Sequence, residues 1–373
     1  MFLARGEHAY LNVFGEETQH SESYMKNPER IVKHIKIKDH ADLEHIFNIG
    51  TEIGEGGFGK VVAVKEKATN NKWAIKTISK SLSGLKLVFL QREIQILKMV
   101  SHPHIIYLDR VYESIKKIYL VMELCHGELF LLFKEKKSFS ESITKRITTD
   151  LVSAVAYLHK NDIVHRDIKL ENILLAKNPK DPADEYYIKL SDFGLSVIKT
   201  GTGIESMLHD CCGTALYMAP EMLSGSYSHQ CDVWAIGVII YLLLYGVYPF
   251  FSNSEKELAR KILKDEVTYP AAKISTDALN LMKQALKKDP AFRITSIEML
   301  ESSWLSGGTG RINMMDMMKQ WKEELMVPMG EESDWVSMAE TRTLRLHPSF
   351  SLTEESSFQT SYMGRSGDVN FNR

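Results

Sequence analysis

The sequence predicts an α+β fold of two lobes, in which a small strand-rich lobe precedes a larger, mostly helical one. Short runs of alternating apolar and polar residues, separated by turn residues, extend from Phe47 to about residue 124. A single helix pattern, which includes Leu90 and Ile94, interrupts them. From there to Trp304 the apolar residues recur at helical spacing. These patterns predict a small antiparallel sheet with one main helix, followed by a helical lobe.

The composition is that of a globular protein. Of 373 residues, 44% are hydrophobic and 25% are charged, so a sizeable core is expected and global disorder is excluded. The formal net charge of −2 argues against a nucleic-acid binder. The four cysteines include no CxxC pair, so neither a disulfide framework nor a zinc site is indicated. We expect reduced thiols and a cytoplasmic location.

One apolar run allows two interpretations. Residues 233–251 form 19 consecutive positions without a charge, which is long enough for a membrane span. Asp232 at its edge and Pro249 near its end favour a buried core helix that ends in a turn. The N-terminal residues also lack an apolar run of signal-peptide length. We therefore expect no membrane association.

Polarity and apolar periodicity change along the chain and divide it into three segments. Residues 1–43 are polar and are predicted to be a flexible leader, and residues 44–305 form the compact unit. Residues 306–373 are predicted to contain an amphipathic helix and a disordered tail. Residues 311–326, which carry the helix pattern, have a net charge of zero. Calmodulin stays open as a partner, but a calmodulin target is normally basic, so packing on the compact unit is favoured.

A glycine cluster, Gly54, Gly56 and Gly59, fits three motifs: a dinucleotide fingerprint, a Walker A box and a nucleotide-covering hairpin. A Walker A box needs Ser or Thr where this chain has Val61. Both of the first two motifs lead into a helix, whereas the residues from Lys60 onward favour a strand. The pattern therefore favours a hairpin that covers phosphates, although a purely structural hairpin stays open.

Two charged residues fall in predicted regular structure. Lys76 lies in a strand that looks buried, where an unpaired ammonium would be costly, and Glu93 lies on the main helix. An ion pair between them that also clamps phosphates explains both charges. The alternative is an edge-strand lysine and a solvated glutamate.

The most specific signal is the segment from His165 to Asn172. A carboxylate, an ammonium and an amide at these offsets suit phosphoryl transfer. Asp167 would accept the proton of a substrate hydroxyl, and Lys169 would neutralise charge on the phosphoryl group. Asn172 and, twenty residues later, Asp192 offer the oxygen ligands that Mg²⁺ prefers.

These elements occur in one order and at workable spacings, and residues 44–305 resemble the protein kinase domain throughout. Segments such as NDIVHRDIKLENILL and CGTALYMAPE resemble the calcium/calmodulin-dependent kinase branch. The resemblance implies the bilobal kinase fold, with an N-lobe of about residues 44–124 and a C-lobe of about 125–305. It also implies ATP- and Mg²⁺-dependent phosphorylation of Ser/Thr in protein substrates. A pseudokinase-like scaffold is the alternative, but no expected catalytic group is missing.

The resemblance further implies a nucleotide pocket. The adenine would lie between Val61, Ala74 and Leu174, with Met122 as gatekeeper before a hinge from Glu123 to Cys125. Two acidic residues, Glu128 and Glu171, would lie at the substrate mouth. They would either select basic residues upstream of the target Ser/Thr, or be ribose contacts or ordinary surface carboxylates.

The resemblance implies supporting roles as well. Asp232 would hold the backbone of the catalytic loop, and Glu221 would form a buried ion pair with Arg293. Thr214 would contact Asp167 and Lys169, in keeping with Ser/Thr specificity. Asp210, at the usual site of activation-loop phosphorylation, would supply part of that negative charge to Arg166.

Overall fold

The computed structural model describes residues 31–56, 59–81, 85–198, 214–271 and 273–307. Three sequence-based predictions therefore lie outside the described residues: the leader up to residue 30, the role of Asp210, and the helix and tail from residue 308 onward.

The small lobe is built on a six-stranded sheet whose strands lie in the order β1-β5-β6-β4-β3-β2. The strands are β1 Lys33–Lys36, β2 Phe47–Gly56, β3 Gly59–Glu66, β4 Lys72–Ser79, β5 Leu108–Glu113 and β6 Lys117–Glu123. Two helices accompany them, α1 His40–Ile46 and α2 Leu85–Met99. Every strand pair is antiparallel except β1 with β5, which is parallel. The predicted small sheet with one main helix is confirmed.

Side-chain alternation gives this sheet two buried faces. On one face, residues such as Val111 and Leu120 join Leu90 of α2 in the main core. On the other face, Tyr112 packs in a smaller core with Leu43 of α1. The sheet is therefore clamped between a long helix and a short one.

The predicted flexible leader, residues 1–43, is wrong in its last part. Residues 33–36 form β1, and residues 40–46 form α1. The carboxylate of Asp39 caps α1 by accepting a hydrogen bond from the backbone N–H of Ala41 at 2.8 Å, and Leu43 is fully buried. Each element is short and offers too few apolar positions to show a period, so the sequence pattern did not reveal either.

The large lobe is mostly helical, as predicted. Its helices are α3 Leu129–Lys136, α4 Glu141–Lys160, α5 Pro220–Leu223, α6 Gln230–Tyr245, α7 Glu255–Lys264, α8 Thr276–Ala285, α9 Ser296–Glu301 and α10 Ser303–Ser306. Short strands lie near the junction of the lobes: β7 Gly127–Glu128, β8 Ile163–Val164, β9 Ile173–Leu175, β10 Ile188–Leu190 and β11 Val197–Ile198.

Helix α6 is the centre of the large lobe and contains most of the apolar run. Every residue from Gln230 to Leu243 is buried. The helix ends at Gly246, whose φ of 75° is the left-handed conformation that favours glycine. The interpretation of this run as a core helix is confirmed. Among the residues that the structure describes, no helix combines the length and the hydropathy that a membrane crossing requires.

A buried ion pair joins α5 to the loop before α9. Arg293 Nη2 donates to Glu221 Oε2 at 2.9 Å, and the same guanidinium donates to the carbonyl oxygens of Lys287 and Gln230. Its plane lies over the ring of Trp234, 5.1 Å from the centroid. The guanidinium thus has several partners, and losing it would leave a buried carboxylate uncompensated.

We expect Arg293→Met to lower the free energy of unfolding by about 3–5 kcal/mol, because Glu221 loses its counter-charge in the core. Urea unfolding followed by circular dichroism measures this change. The matched control is Arg260→Met, since Arg260 makes exposed ion pairs with Glu257 and Asp265, and it should leave the free energy of unfolding nearly unchanged. Equal effects of the two substitutions would contradict the structural role of Arg293.

Candidate active site

The loop between β8 and β9 carries the predicted catalytic residues, and Asp232 holds it in place. The carboxylate of Asp232, at the start of α6, accepts hydrogen bonds from the backbone N–H groups of His165 and Arg166, each at 2.9 Å. His159 Nε2 lies 2.9 Å from the same carboxylate. Burial opposes ionisation, but these donors outweigh it and hold the pKa of Asp232 below its usual value. The role predicted for Asp232 matches this geometry.

Asp167 lies at the centre of a hydrogen-bonded cluster. Its Oδ2 is 2.9 Å from Lys169 Nζ, and Asn172 Nδ2 donates to the same oxygen at 3.1 Å. Its Oδ1 accepts from both the backbone N–H and the hydroxyl of Thr214 at 3.2 Å. Lys169 Nζ in turn donates to Thr214 Oγ1 at 3.0 Å. Although burial opposes it, the carboxylate of Asp167 raises the pKa of Lys169, which stays charged.

The small lobe supplies the second charged group. Lys76 Nζ on β4 donates to Glu93 Oε1 on α2 at 2.6 Å, and the Glu93 side chain is 3% exposed. Burial acts against the charged ammonium, but the carboxylates of Glu93 and Asp192 prevail and raise the pKa of Lys76. Burial raises the pKa of Glu93, whose Oε2 has no protein partner among the described residues. The predicted ion pair is therefore present, and Asp192 faces it.

Asp192 follows β10 in a strained backbone conformation, with a φ of 62°. Its side chain is exposed, and Oδ1 accepts from the backbone N–H of Gly194 at 3.2 Å. The next residue, Phe193, is fully buried and packs edge-on against His165, with ring centroids 4.9 Å apart. The strained turn thus buries the ring of Phe193 and leaves the carboxylate of Asp192 exposed to solvent.

The glycine cluster forms a hairpin between β2 and β3, as the strand-forming residues after it predict. Gly54 pairs with Val61, and Gly56 pairs with Gly59. Gly59 has a φ of 151°, and a Cβ there would collide with the carbonyl oxygen of Thr77 on β4. Glycine is required at this position because the hairpin lies against the neighbouring strand.

The residues predicted for the adenine pocket lie on four strands: β3, β4, β6 and β9. The register places Val61 opposite Lys76 and Ala74 opposite Met122, so these side chains share one face of the sheet. Leu174 lies on β9, opposite Glu128 of β7, and is partly buried in the main core together with Met122. Cys125 is buried at the connection between the lobes, where burial raises its thiol pKa.

The carboxylates of Glu128, which is buried, and Glu171, which is partly buried within the catalytic loop, interact with each other. Glu128 is 4% exposed, and neither its Oε1 nor Glu171 Oε2 has a hydrogen-bond partner among the described residues. Burial, and next the charge of Glu171, raises the pKa of Glu128 to about 7. Burial raises the pKa of Glu171 as well. Each carboxylate thus has one buried oxygen without a hydrogen-bond partner, and the nearby ammonium of Lys169 offsets only part of the cost of burying Glu171.

The sequence patterns missed four contacts that support this site. Lys189 Nζ on β10 lies 3.0 Å from Glu123 Oε2, and Glu123 Oε1 accepts from the backbone N–H of Tyr107 at 2.7 Å. Arg166 Nη1 donates to the hydroxyl of Tyr227 at 3.1 Å. The ring of His159 contributes to the Asp232 anchor. The only local signal for any of these was an unusual lysine within a short apolar strand.

Comparison with known proteins agrees with this architecture. The protein kinase domain family matches residues 47–305. The chain is 45% identical over 303 residues to serine/threonine-protein kinase 33 of Mus musculus, which covers 78% of the chain and 62% of that relative. It is 44% identical to the protein of the same name from Bos taurus, covering 84% of the chain and 66% of the relative. Both alignments therefore span less than two thirds of the relative's length.

A more distant relative is calcium/calmodulin-dependent protein kinase type 1B of Homo sapiens, which is 38% identical over 279 residues. That alignment covers 73% of this chain and 79% of the relative. The family match spans more than half of the chain, and it includes every residue of the site described above. The chain belongs to the protein kinase domain family.

Proposed function

We propose that this chain is a serine/threonine protein kinase, which transfers the γ-phosphoryl group of ATP to hydroxyls of protein substrates. The observation that carries the proposal is the hydrogen-bonded cluster of Asp167, Lys169 and Thr214, which holds a proton acceptor beside a fixed positive charge. The similarity to named serine/threonine kinases supports the same chemistry.

In this mechanism Asp167 orients the hydroxyl of the substrate and accepts its proton as the new bond to phosphorus forms. The bond between the γ-phosphorus and the β–γ bridging oxygen breaks, and ADP leaves. Lys169 offsets the negative charge on the phosphoryl group while it is being transferred. Thr214 fixes both side chains, so little reorganisation is needed during the reaction.

The residues present fit the nucleotide and its metal. Lys76, paired with Glu93, would hold the α- and β-phosphates, and the hairpin of Gly54, Gly56 and Gly59 would cover them with backbone that carries no Cβ at these positions. Val61, Ala74 and Leu174 would enclose the adenine, with Met122 behind it and the segment from Glu123 to Cys125 as the hinge.

The carboxylate of Asp192 and the amide oxygen of Asn172 are hard ligands that suit Mg²⁺. When bound, Mg²⁺ would neutralise phosphate charge. The amide nitrogen of Asn172 donates to the backbone carbonyl oxygen and to Oδ2 of Asp167, and these hydrogen bonds orient the amide.

A scaffold that binds nucleotide without turnover is the second candidate. It would be favoured by the absence of a catalytic group, whereas Lys76, Glu93, Asp167, Asn172 and Asp192 are all present in the sequence. A cytoplasmic location remains part of the proposal and is supported by the lack of a disulfide-type cysteine pattern. Calmodulin dependence is not proposed, because residues 311–326 carry no net charge.

The proposed substrate class rests on the carboxylates of Glu128 and Glu171. Glu128 and Glu171 have unsatisfied oxygens beside the catalytic loop, and each lies in surroundings that disfavour its ionised form. A guanidinium of a bound peptide would supply both the missing hydrogen bonds and the missing charge. We therefore propose substrates with a basic residue upstream of the target Ser/Thr.

The first test is phosphate transfer from labelled ATP to a generic basic peptide that contains serine. We expect transfer by the wild type, a loss of at least about 100-fold in kcat for Asp167→Asn because the proton acceptor is removed, and background signal for Asp192→Asn. Asp181→Asn, an exposed change in the loop between β9 and β10, is the matched control and should retain full activity. Signal that persists in Asp192→Asn would identify a contaminant and leave the proposal without support.

The second test compares peptides with Arg or Ala upstream of the serine. Because the pKa of Glu128 is about 7, its carboxylate is mostly protonated at pH 6 and mostly ionised at pH 8. We expect the preference for Arg, measured as a ratio of kcat/KM values, to rise over this interval. Glu128→Gln should reduce the preference about tenfold, since a hydrogen bond to a charged group is lost, and should flatten its pH dependence.

The control for this test is Glu255→Gln, an exposed change on α7. An Arg preference that is unaffected by Glu128→Gln, or that falls from pH 6 to pH 8, would contradict the assignment.

A further inference from the structure

The segment that precedes the family match is an integral part of the small lobe. The match begins at residue 47, whereas β1 and α1 lie within residues 33–46. Strand β1 pairs in parallel with the edge strand β5, from Lys33 opposite Arg110 to Lys36 opposite Glu113. The backbone N–H of Ile37 extends the ladder by donating to the carbonyl oxygen of Glu113 at 2.9 Å.

The register of this pairing decides what each side of β1 touches. Ile35 lies opposite Tyr112, and both belong to the face that α1 covers. His34 lies opposite Val111, which belongs to the face that α2 covers. One side of the strand is thus anchored by apolar packing, while the other presents an imidazole to the main helix.

The imidazole of His34 links the helix to the sheet through both ring nitrogens. Lys98 Nζ, in the last turn of α2, lies 3.3 Å from His34 Nδ1. His34 Nε2 lies 2.8 Å from Glu113 Oε2, and Glu113 Oε1 accepts from Lys80 Nζ at 2.6 Å. An ammonium can only donate and a carboxylate only accept, so these contacts assign a neutral imidazole with its proton on Nε2.

Helix α2 also carries Glu93, five residues before Lys98, and Glu93 contacts Lys76 in the active site. A helix is stiff over one and a half turns, so a contact at its end constrains the direction of Glu93. We propose that His34 is a positioning residue which, through Lys98, holds α2 in the orientation that pairs Glu93 with Lys76. Residues 33–46 then act as a clamp supplied by the chain itself. The activity readout below rests on the proposed kinase function.

The charges around His34 make this clamp sensitive to pH. Lys98 faces it from α2, Glu113 from β5 and Lys36 from its own strand, and Lys80 shares Glu113. Burial, then the charge of Lys98, lowers the pKa of His34 in spite of the nearby Glu113. The clamp is therefore complete above the unfolded pKa of 6.5 and is lost as pH falls through the lower folded value, because a protonated Nδ1 would face the ammonium of Lys98.

The test uses His34→Leu, which removes both contacts, and His34→Gln, whose amide can accept from Lys98 and donate to Glu113. Two readouts are measured: kcat/KM for labelled phosphate transfer, and hydrogen exchange of the backbone amides of α2. We expect His34→Leu to lower kcat/KM about three- to tenfold, equivalent to one lost hydrogen bond, and to raise exchange in α2. His34→Gln should retain most of the activity, and Lys33→Met, an exposed change on the same strand, should match the wild type.

Lys98→Met tests the clamp from the helix side should His34→Leu fail to fold. It should reproduce the effects expected of His34→Leu, and combining the two changes should cost no more than the larger single effect. As pH falls below 6.5, through the lowered pKa of His34, the wild type should also lose activity relative to His34→Gln.

The proposal is overturned by unchanged α2 exchange in both His34→Leu and Lys98→Met, or by a His34→Gln variant as impaired as His34→Leu. Absence of transfer by the wild type would instead refute the proposed function. The hydrogen-exchange comparison would still decide whether the clamp exists.

Discussion

The catalytic loop depends on one buried carboxylate. Asp232 lies at the start of the central helix α6 and accepts two backbone N–H groups from the loop that carries Asp167. These N–H groups belong to irregular backbone, where no sheet or helix supplies a carbonyl partner for them. Arg166 in this segment has a φ of 70°. The buried central helix of the large lobe thereby sets the position of the residues that would act on substrate.

In the small lobe, the ion pair of Lys76 and Glu93 joins the sheet to helix α2. Lys76 is fixed within a five-strand antiparallel framework, whereas Glu93 depends on how α2 lies on that sheet. Packing on Leu90 and Ile94 holds the body of the helix, and the contact of Lys98 with His34 holds its end. The two lobes therefore fix their charged groups in different ways, and the placement of α2 decides whether Glu93 meets Lys76.

The sequence predicted the site better than its supports. Asp167, Lys169 and Asn172 lie within six residues, so their proximity follows from local spacing alone, and Lys76 with Glu93 follows from the cost of burying a charge. By contrast, Lys189 with Glu123 and Lys98 with His34 join residues 66 and 64 positions apart, with no pattern that links them. Helix α1 was not predicted for another reason. Leu43 is its one buried residue, and a single apolar position shows no helical periodicity.

The most direct test of this account is single-turnover transfer of the γ-phosphoryl group of ATP, comparing the wild type with Asp232→Asn. The amide of Asn cannot accept on both of its ends, so the loop should lose one backbone anchor while the small lobe keeps its nucleotide contacts. We expect phosphate on serine or threonine but not tyrosine, and a rate at least about tenfold lower in the variant at equal affinity for ATP. Equal rates in the two proteins, or no transfer by the wild type, would contradict the account.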